Sequence, residues 1–334
     1  MSSVLPSSNP SLVATSRGLI ECLRVGEAPH ILALHGTMGG WDQSLLLTRT
    51  IANDDYGVVA VSRPGYLNTS LATARRPEEQ ADLYAALLDS LGIERVAVAA
   101  VSGGGPSAIH FALRHPDRCW ALVLVSTAAA PVRERLPLAF HALRLFGRTS
   151  WFERSMRRRR ERDPEAAARA SIPDMAMRAR TLADPEAGPL FRALLASAAE
   201  RMADRLAGTV NDVRVTRTLR YPLERVGVPT LVVHGTEDRL VPFEQHGVVL
   251  AARIPGARLI AAGGGEHVAI ITHRHVVRPH VVAFLDSYRP VHHTSSQPPD
   301  GGGRRRSSMR TTSEPIAQPA APPNIMNTNA ANTA

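Results

Sequence analysis

The sequence predicts an α/β fold in which a mostly parallel β-sheet is covered by helices on both faces. Short, almost entirely apolar runs alternate with segments of helical periodicity over residues 1–130 and again from residue 223. Such runs are typical of strands that are buried on both faces of a parallel sheet. The length of 334 residues is also sufficient to bury one large core with an insertion.

Seven segments have the composition of buried strands, because they are rich in Val, Ile, Leu and Ala and most end at Gly, His or Ser. In chain order these segments are 19–25, 30–34, 56–61, 96–101, 121–125, 230–233 and 257–261. Helical spacing of apolar residues predicts helices over 77–91 and 107–115. A last helix is expected over 279–288, with Pro279 at its first position, where a missing N–H costs nothing.

The segment 131–222 has helical periodicity without a convincing strand, which predicts an all-helical insertion. The α/β core is therefore expected to comprise residues 1–130 and 223–290. From residue 291 to 334 the composition changes to Ser, Thr, Pro, Gly, Asn and Ala, which predicts a disordered tail. The N-terminus lacks the pattern of a signal peptide and no apolar run reaches the length of a membrane span, so no transmembrane segment and a cytoplasmic location are expected.

The positive charge of the chain is concentrated in the insertion. The formal net charge is +9, all 39 basic residues are arginine, and 131–222 contains 19 of them against 11 acidic residues. The run from Arg157 to Arg160 can be a binding patch for an anionic partner, although such runs are more often solvated helix faces. No aromatic residues alternate with these arginines, so no nucleic-acid partner is expected. The sequence leaves the oligomeric state open.

The candidate nucleophile is Ser102, at the end of the predicted strand 96–101. The small residues Ala100 and Gly104 lie two positions before and two positions after it, and a segment of helical periodicity follows. This spacing is typical of a serine on a sharp turn from a strand to a helix. The partial positive charge of the helix N-terminus would stabilise an oxyanion beside the serine.

A serine hydroxyl needs a base, and the base needs an acid that orients it. Asp238 follows strand 230–233 and His267 follows strand 257–261, in the chain order Ser, Asp, His that this type of turn predicts. Taken singly, Ser102 can be a turn residue, Asp238 a helix N-cap and His267 one of 13 histidines without a special role. Together, three such residues after three strands favour a catalytic triad.

Other residues near these positions compete for the same roles. Glu237 adjoins Asp238, but we expect it to point elsewhere from the same turn. His273 and His275 lie further past the strand end than His267, where a helix is expected to begin.

The glycine-rich loop after the second predicted strand is expected to supply part of an oxyanion hole. The first donor is the N–H of Gly103, directly after the nucleophile, and the second is the N–H of Thr37, with Met38 as the alternative. Glycines in this loop let the backbone approach a substrate closely. We expect the side chains of His35 and Asp42 to hold the loop in shape.

The sequence contains no cluster of His, Cys or carboxylate residues with the spacing of metal ligands. The glycines at 103–105 have the wrong spacing for a dinucleotide or phosphate-binding loop. Cys22 and Cys119 lie in predicted strands and are expected to be buried and unpaired. We therefore expect neither a metal nor a cofactor, and a small-molecule substrate.

Five motifs, in their order along the chain, resemble the α/β-hydrolase superfamily. They are HGTMGG at 35–40, SRPGY at 62–66, VSGGGP at 101–106, HGTEDRLVP at 234–242 and GEH at 265–267. The resemblance implies the α/β-hydrolase fold, with a mostly parallel eight-stranded sheet, helices on both faces and an all-helical cap insertion over the active site. It also implies a triad of Ser102, Asp238 and His267.

The similarity covers 15–130 and 223–288 and departs from the common pattern in two places. Ala100 replaces a more usual glycine, and Met38 stands where related sequences often have proline. A serine at position 102 rather than an aspartate argues against the dehalogenase and epoxide-hydrolase branches.

The resemblance implies a serine hydrolase that cleaves a carboxylic ester, lactone or thioester through an acyl-serine intermediate. The same fold and triad also serve C–C bond hydrolysis, acyl transfer, perhydrolysis and cofactor-free lyase chemistry, and a non-catalytic ligand receptor is a further alternative. Substrate contacts are expected in the cap, 131–222, with Met38 and Trp41 as further candidates. Apolar positions of the cap include Leu136, Phe140, Leu143, Phe146, Trp151 and Phe152.

Overall fold

The structure, a computed structural model, describes residues 8–132, 145–146, 149–163, 165–290 and 325–327. Within these residues nine strands form one sheet, in the order β1-β2-β4-β3-β5-β6-β7-β8-β9. The strands are β1 Ser11–Thr15, β2 Gly18–Val25, β3 His30–Leu34, β4 Gly57–Val61, β5 Val96–Val101, β6 Cys119–Val125, β7 Thr230–Gly235, β8 Arg258–Ala262 and β9 Ile325–Asn327.

The sheet is antiparallel only at one edge. β2 pairs antiparallel with both β1 and β4, whereas all neighbours from β4 to β9 run parallel. Strands β3 to β6 are buried along almost their whole length, as strands covered on both faces must be. The predicted fold, with an eight-stranded and mostly parallel sheet, is confirmed by β1 to β8.

The ninth strand comes from the segment expected to be a disordered tail. Ile325–Asn327 pairs parallel with β8, so the structure differs from that expectation at these three residues. Without this strand, β8 would leave a row of backbone donors and acceptors unpaired at the edge of the sheet. Residues 291–324 and 328–334 lie outside the described residues.

Eleven α-helices lie within the described part of the chain. They are α1 Trp41–Ile51, α2 Pro77–Ser90, α3 Gly105–Arg114, α4 Ser150–Arg162, α5 Ala166–Ser171, α6 Met175–Ala183, α7 Ala187–Ala199, α8 Met202–Thr216, α9 Phe243–Arg253, α10 Ala269–Thr272 and α11 Arg274–Tyr288. Helices α2, α3 and α9 bury their apolar side chains on one face of the sheet. Helices α1 and α11 cover the other face.

The last helix begins earlier than the sequence predicts. α11 starts at Arg274, so Pro279 lies inside the helix rather than at its first position. Val277 is buried on the same side as Val281 and Phe284, which extends the apolar face to a point before the proline. Packing of this face against the sheet therefore outweighs the loss of one backbone hydrogen bond at Pro279.

Helices α4 to α8, called the cap here, all come between β6 and β7, and their joint role as a separate unit stays a proposal. Among the apolar positions expected there, Phe146 and Trp151 are 48% and 65% exposed, and Phe152 is partly buried. Leu136, Phe140 and Leu143 lie outside the described residues. Arg158 and Arg159 of the arginine run are exposed on α4. No helix in the described part of the chain has the length and hydropathy needed to cross a membrane.

Two buried ion pairs join helix α8 to the core. Asp212 of α8 pairs with Arg63 of the core, and Arg205 of α8 pairs with Asp42 at the start of α1. Ser197 of α7 also donates a hydrogen bond to Asp42, at 2.6 Å. Burial tends to raise the pKa of Asp42, but Arg205 and Ser197 more than offset it and hold that pKa below its usual value. The core contributes the cation Arg63 to the first pair and the anion Asp42 to the second, so the two pairs have opposite polarity.

Candidate active site

The order of the strands places the predicted site residues around one crevice. β3 and β5 are neighbours in the sheet, although the chain passes from β3 to β4 on one side and then returns to β5 on the other. Ligands in open α/β sheets bind at such a reversal, beyond the carboxyl ends of the strands. The loop 35–40 follows β3 and Ser102 follows β5, so both lie at this reversal.

Ser102 occupies a strained turn between β5 and α3. Its φ is +49°, in the left-handed region that residues other than glycine rarely adopt. A side chain at Gly104 would place its Cβ 2.7 Å from the carbonyl oxygens of both Leu34 and His35, so the close approach of this turn to β3 requires glycine. The turn holds the Ser102 side chain on the wall of a cavity at the sheet edge.

Asp238 and His267 form a hydrogen-bonded pair. Nδ1 of His267 lies 2.8 Å from Oδ2 of Asp238, and Oδ1 of Asp238 accepts the N–H groups of Leu240 and Val241, at 3.0 Å each. Burial alone would raise the pKa of Asp238. The interactions with His267 and with the Val241 N–H lower it by a larger amount, so the pKa of Asp238 is below its usual value. Asp238 is therefore an anion that can orient the imidazole and leave its Nε2 as the basic nitrogen.

The competing residues lie elsewhere. Glu237 and His275 are exposed, and His273 contacts the Thr272 hydroxyl at 2.9 Å. His267 lines the cavity that Ser102 also lines, and none of these three residues does.

A second histidine lies behind Asp238 and was not among the predicted site residues. His234 is fully buried, its Nε2 donates to the carbonyl of Val241 at 2.7 Å, and it lies 3.5 Å from Oδ2 of Asp238. Burial holds the pKa of His234 below its usual value, so this ring is neutral near pH 7. The sequence feature that could have identified His234 as a site residue is its position at the start of the motif HGTED, four residues before Asp238.

The two residues predicted to donate to an oxyanion lie side by side. A Cβ built on Gly103 would lie 3.3 Å from the backbone nitrogen of Thr37, and both residues line the cavity. Within the described residues, the Thr37 N–H has no hydrogen-bond acceptor. Thr37 and Gly103 are therefore adjacent on the wall of the cavity that Ser102 lines, and their role as oxyanion donors stays a proposal.

Met38 and Trp41, the further candidates for substrate contact, are not among the residues that line the cavity. Met38 has a φ of +65°, its carbonyl accepts from Gln43, and its sulfur contacts the Thr209 hydroxyl of α8 at 3.1 Å. The Trp41 N–H donates to the Ser62 hydroxyl at 3.1 Å. Met38 thus packs between the loop and the cap, whereas the Trp41 side chain packs against core residues such as Leu45. Their role in substrate contact stays a prediction.

The cavity has a volume of about 430 Å³, within the usual range for small-molecule sites. Its apolar lining includes Leu46, Leu47, Val101, Leu194, Leu195, Ile270 and Ile271. The cap contributes Ser171 of α5 and Thr216 of α8 as well as the two leucines of α7. Among the described lining residues none is Arg, Asp or Glu, and His267 is the one titratable ring. The described part of the site thus combines a polar edge, formed by Ser102 and His267, with a largely apolar interior that has no charged side chain.

The described residues contain no group of three His, Cys, Asp or Glu side chains arranged to hold a metal. The two cysteines, Cys22 and Cys119, are buried and unpaired, as the sequence predicts. Burial is the main cause that raises the pKa of Cys22 to about 11 and that of Cys119 to about 12. Both thiols are therefore poor nucleophiles near neutral pH.

Comparison with known proteins agrees with this architecture. A family model described as the alpha/beta hydrolase fold matches residues 29–274. The solved structure of an alpha/beta hydrolase fold protein from Nakamurella multipartita is 32% identical, with a TM-score of 0.74, and the match covers 83% of this chain and 99% of that one. A 2-hydroxy-6-oxononadienedioate/2-hydroxy-6-oxononatrienedioate hydrolase from Burkholderia vietnamiensis is 26% identical over 267 residues, which are 76% of this chain and 86% of that protein.

A shorter similarity relates the chain to the uncharacterized hydrolase YcgS from Bacillus subtilis. The two are 37% identical over 109 residues. This stretch spans 33% of this chain and 38% of that protein, so the likeness is confined to part of each.

Proposed function

Because the chain belongs to the alpha/beta hydrolase family, we propose that it cleaves a carboxylic ester, lactone or thioester of a small, uncharged molecule through an acyl-serine intermediate. One observation carries this proposal. The strained Ser102, the His267 held by Asp238, and the adjacent residues Thr37 and Gly103 meet at one largely apolar cavity. These are the nucleophile, the base, the acid and the oxyanion donors that acyl transfer requires.

In the acylation step, Oγ of Ser102 attacks the acyl carbonyl carbon and its proton passes to Nε2 of His267. Asp238 keeps the imidazole in the required tautomer and stabilises the imidazolium. The N–H groups of Thr37 and Gly103 donate to the oxyanion of the tetrahedral intermediate. His267 then gives the proton to the departing alcohol or thiol, and the acyl group stays on Ser102.

In the deacylation step, water attacks the acyl carbon and His267 takes a proton from that water. The second tetrahedral intermediate collapses, the carboxylic acid leaves, and His267 returns the proton to Oγ of Ser102. The scheme uses only groups of this chain and water.

A rapid-mixing experiment with p-nitrophenyl acetate and butyrate tests the proposal. We expect a burst of p-nitrophenol equal to the enzyme concentration, because p-nitrophenol leaves more readily than the acyl-serine hydrolyses. Acid quenching during the burst, followed by peptide mass spectrometry, should find the acyl group on Ser102. Steady turnover with no acyl group on that peptide would refute the acyl-serine intermediate.

The charge of the acyl group should strongly affect turnover. We expect kcat/KM for the p-nitrophenyl monoester of succinic acid to be at least about 100-fold lower than for p-nitrophenyl butyrate, because the described lining offers no cation to a buried carboxylate. The two acyl chains have similar length, so their kinetic comparison isolates the charge. Equal values of kcat/KM would contradict an uncharged substrate.

C–C bond hydrolysis by the same triad is the second candidate function. The similarity to the Burkholderia vietnamiensis hydrolase favours it, since that protein is named for an oxo dioate. A dioate carries two carboxylates, which require cationic partners that the described lining lacks. Turnover of a 2-hydroxy-6-oxo dienedioate together with inert p-nitrophenyl esters would favour this candidate over ester cleavage.

A further inference from the structure

A carboxylate from the cap lies directly behind the proposed oxyanion hole. Asp212 of α8 is 5% exposed, and its side chain accepts hydrogen bonds from three residues of the core. Arg63 donates from Nη1 at 3.1 Å and from Nη2 at 2.5 Å, and the Tyr66 hydroxyl donates at 2.6 Å. The Thr37 hydroxyl donates at 3.2 Å. Asp212 therefore holds the side chain of Thr37, the residue whose N–H is the proposed second oxyanion donor.

Arg63 extends this network to the residues before Thr37. Its Nε donates to the carbonyl of His35 at 2.8 Å, and its backbone N–H donates to Nε2 of His35 at 3.0 Å. Since Nε2 accepts, Nδ1 of His35 carries the proton and donates to the carbonyl of Gly36 at 2.6 Å. Burial and the charge of Arg63 hold the pKa of His35 well below its usual value, so this ring stays neutral. One guanidinium thus ties the start of the loop 35–40 to Asp212.

Asp212 also reaches the second proposed oxyanion donor. A Cβ built on Gly103 would lie 2.8 Å from Oδ2 of Asp212 and 2.5 Å from the Thr37 hydroxyl, so these groups pack against the Gly103 backbone. An unpaired carboxylate here would oppose a second negative charge on a substrate oxygen. The bidentate contact with Arg63 offsets this charge, which makes the carboxylate compatible with a neighbouring oxyanion.

We infer that Asp212 is a positioning residue for the oxyanion hole, which is complete only when α8 is seated on the core. Asp212 fixes the Thr37 side chain and thereby the direction of the Thr37 N–H. Displacement of α8 removes the acceptor for Thr37 and the counterion of Arg63 together. The inference rests on the proposed function, because that proposal gives Thr37 and Gly103 their role as donors.

Attachment of the cap alone does not explain these contacts. The Arg205–Asp42 pair already joins α8 to the core, and Asn211 of α8 adds a hydrogen bond to the carbonyl of Arg75 at 2.8 Å. Asp212 is distinguished from both by its hydrogen bond to the hydroxyl of Thr37.

Variants that remove one side of this contact test the inference. Thr37→Val keeps the branched shape and the N–H but removes the hydroxyl, and Asp212→Asn removes the charge at nearly constant volume. We expect each to lower kcat for p-nitrophenyl butyrate roughly tenfold to 100-fold with KM within about twofold, because a misaligned donor affects the transition state more than the bound ester. The double variant should be no slower than the slower single variant, because both changes break one contact.

Asn211→Ala is the matched control, since it removes a contact between α8 and the core one residue away. We expect its kcat to stay within about twofold of wild type. Inhibition by an alkyl trifluoromethyl ketone, which forms a tetrahedral oxyanion on a serine, should weaken in Thr37→Val and Asp212→Asn by the same factor as kcat/KM. Amide hydrogen exchange at Gly39, whose N–H donates to the carbonyl of Gly36 at 3.3 Å, should be faster in Asp212→Asn than in wild type and unchanged in Asn211→Ala.

Additive effects in the double variant, or losses confined to KM, would overturn the inference. An exchange rate at Gly39 in folded Asp212→Asn equal to that in wild type would also overturn it. If Asp212→Asn fails to fold, Thr37→Val still tests the inference, because a loss in kcat with unchanged KM supports it and a loss confined to KM contradicts it. If wild type does not cleave esters, the proposed function fails, whereas the exchange comparison still shows whether Asp212 orders the loop.

Discussion

Replacement of Ser102 by alanine is expected to lower kcat for p-nitrophenyl butyrate by about 10⁴-fold to 10⁶-fold, because alanine has no hydroxyl to carry the acyl group at the proposed nucleophile position. Alanine keeps the Cβ, so the backbone strain at φ +49° and the melting temperature should change little. The remaining activity should show no burst, since the cavity and the oxyanion donors then act only on direct attack by water. Stopped-flow and steady-state kinetics on the pure variant measure this loss.

Ser107→Ala is the matched control for this variant. Ser107 is buried in α3, five positions after Ser102, and its hydroxyl donates to the carbonyl of Gly104 at 3.1 Å. It does not line the cavity, so we expect kcat within a few-fold of wild type with a small loss of stability. Equal, feeble rates in wild type and Ser102→Ala would mean that Ser102 does not turn over simple esters. That result would favour C–C bond hydrolysis or a ligand receptor.

Replacement of Asp238 by asparagine should lower kcat by about 10⁴-fold while KM changes little. The asparagine amide can donate to Nδ1 of His267, which would favour the tautomer with its proton on Nε2. That nitrogen could then no longer accept the proton of Ser102. KM should stay close to the wild-type value because Asp238 is buried and does not line the cavity. Steady-state kinetics of the variant with p-nitrophenyl butyrate measure both constants.

Glu237→Gln is the matched control for the acid. It makes the same change of charge one residue earlier, on an exposed side chain. We expect its kcat to stay within about twofold of wild type. A large loss in Glu237→Gln with little effect in Asp238→Asn would assign the orienting acid to Glu237 instead.

The central strands were predictable because their signal is local. The segments 30–34 and 96–101 match β3 and β5 residue for residue, and the segment 230–233 ends two residues before β7 does. Each is a short apolar run that stops at a residue able to turn the chain. The order of Ser102, Asp238 and His267 after three strands was likewise visible, since parallel strands bring their carboxyl ends to one edge.

Helix α1 shows why other elements were missed. Its sequence places Gln43, Thr48 and Thr50 among leucines, and nine of its 11 residues are buried. In the structure both threonine hydroxyls donate to carbonyl oxygens within the same helix, which lets them be buried at little cost. Periodicity cannot detect a helix that is buried on nearly every side.

The network behind the oxyanion loop had no local signal either. Arg63 and Asp212 are 149 residues apart, and Asp212 is one acidic residue among 11 in an arginine-rich segment. The motif SRPGY contains Arg63, but only the packing of α8 reveals its partner.

The opposite polarity of the two ion pairs on α8 limits how freely this cap could be exchanged between related proteins. Arg205 and Asp212 are two helical turns apart on one face of α8, opposite Asp42 and Arg63 of the core. A grafted helix that ran in the reverse direction would bring like charges together at both places. A graft without these side chains would leave two core charges uncompensated, at several kcal/mol each. The core therefore accepts one orientation of this helix, and a chimaera must carry both charged residues with it.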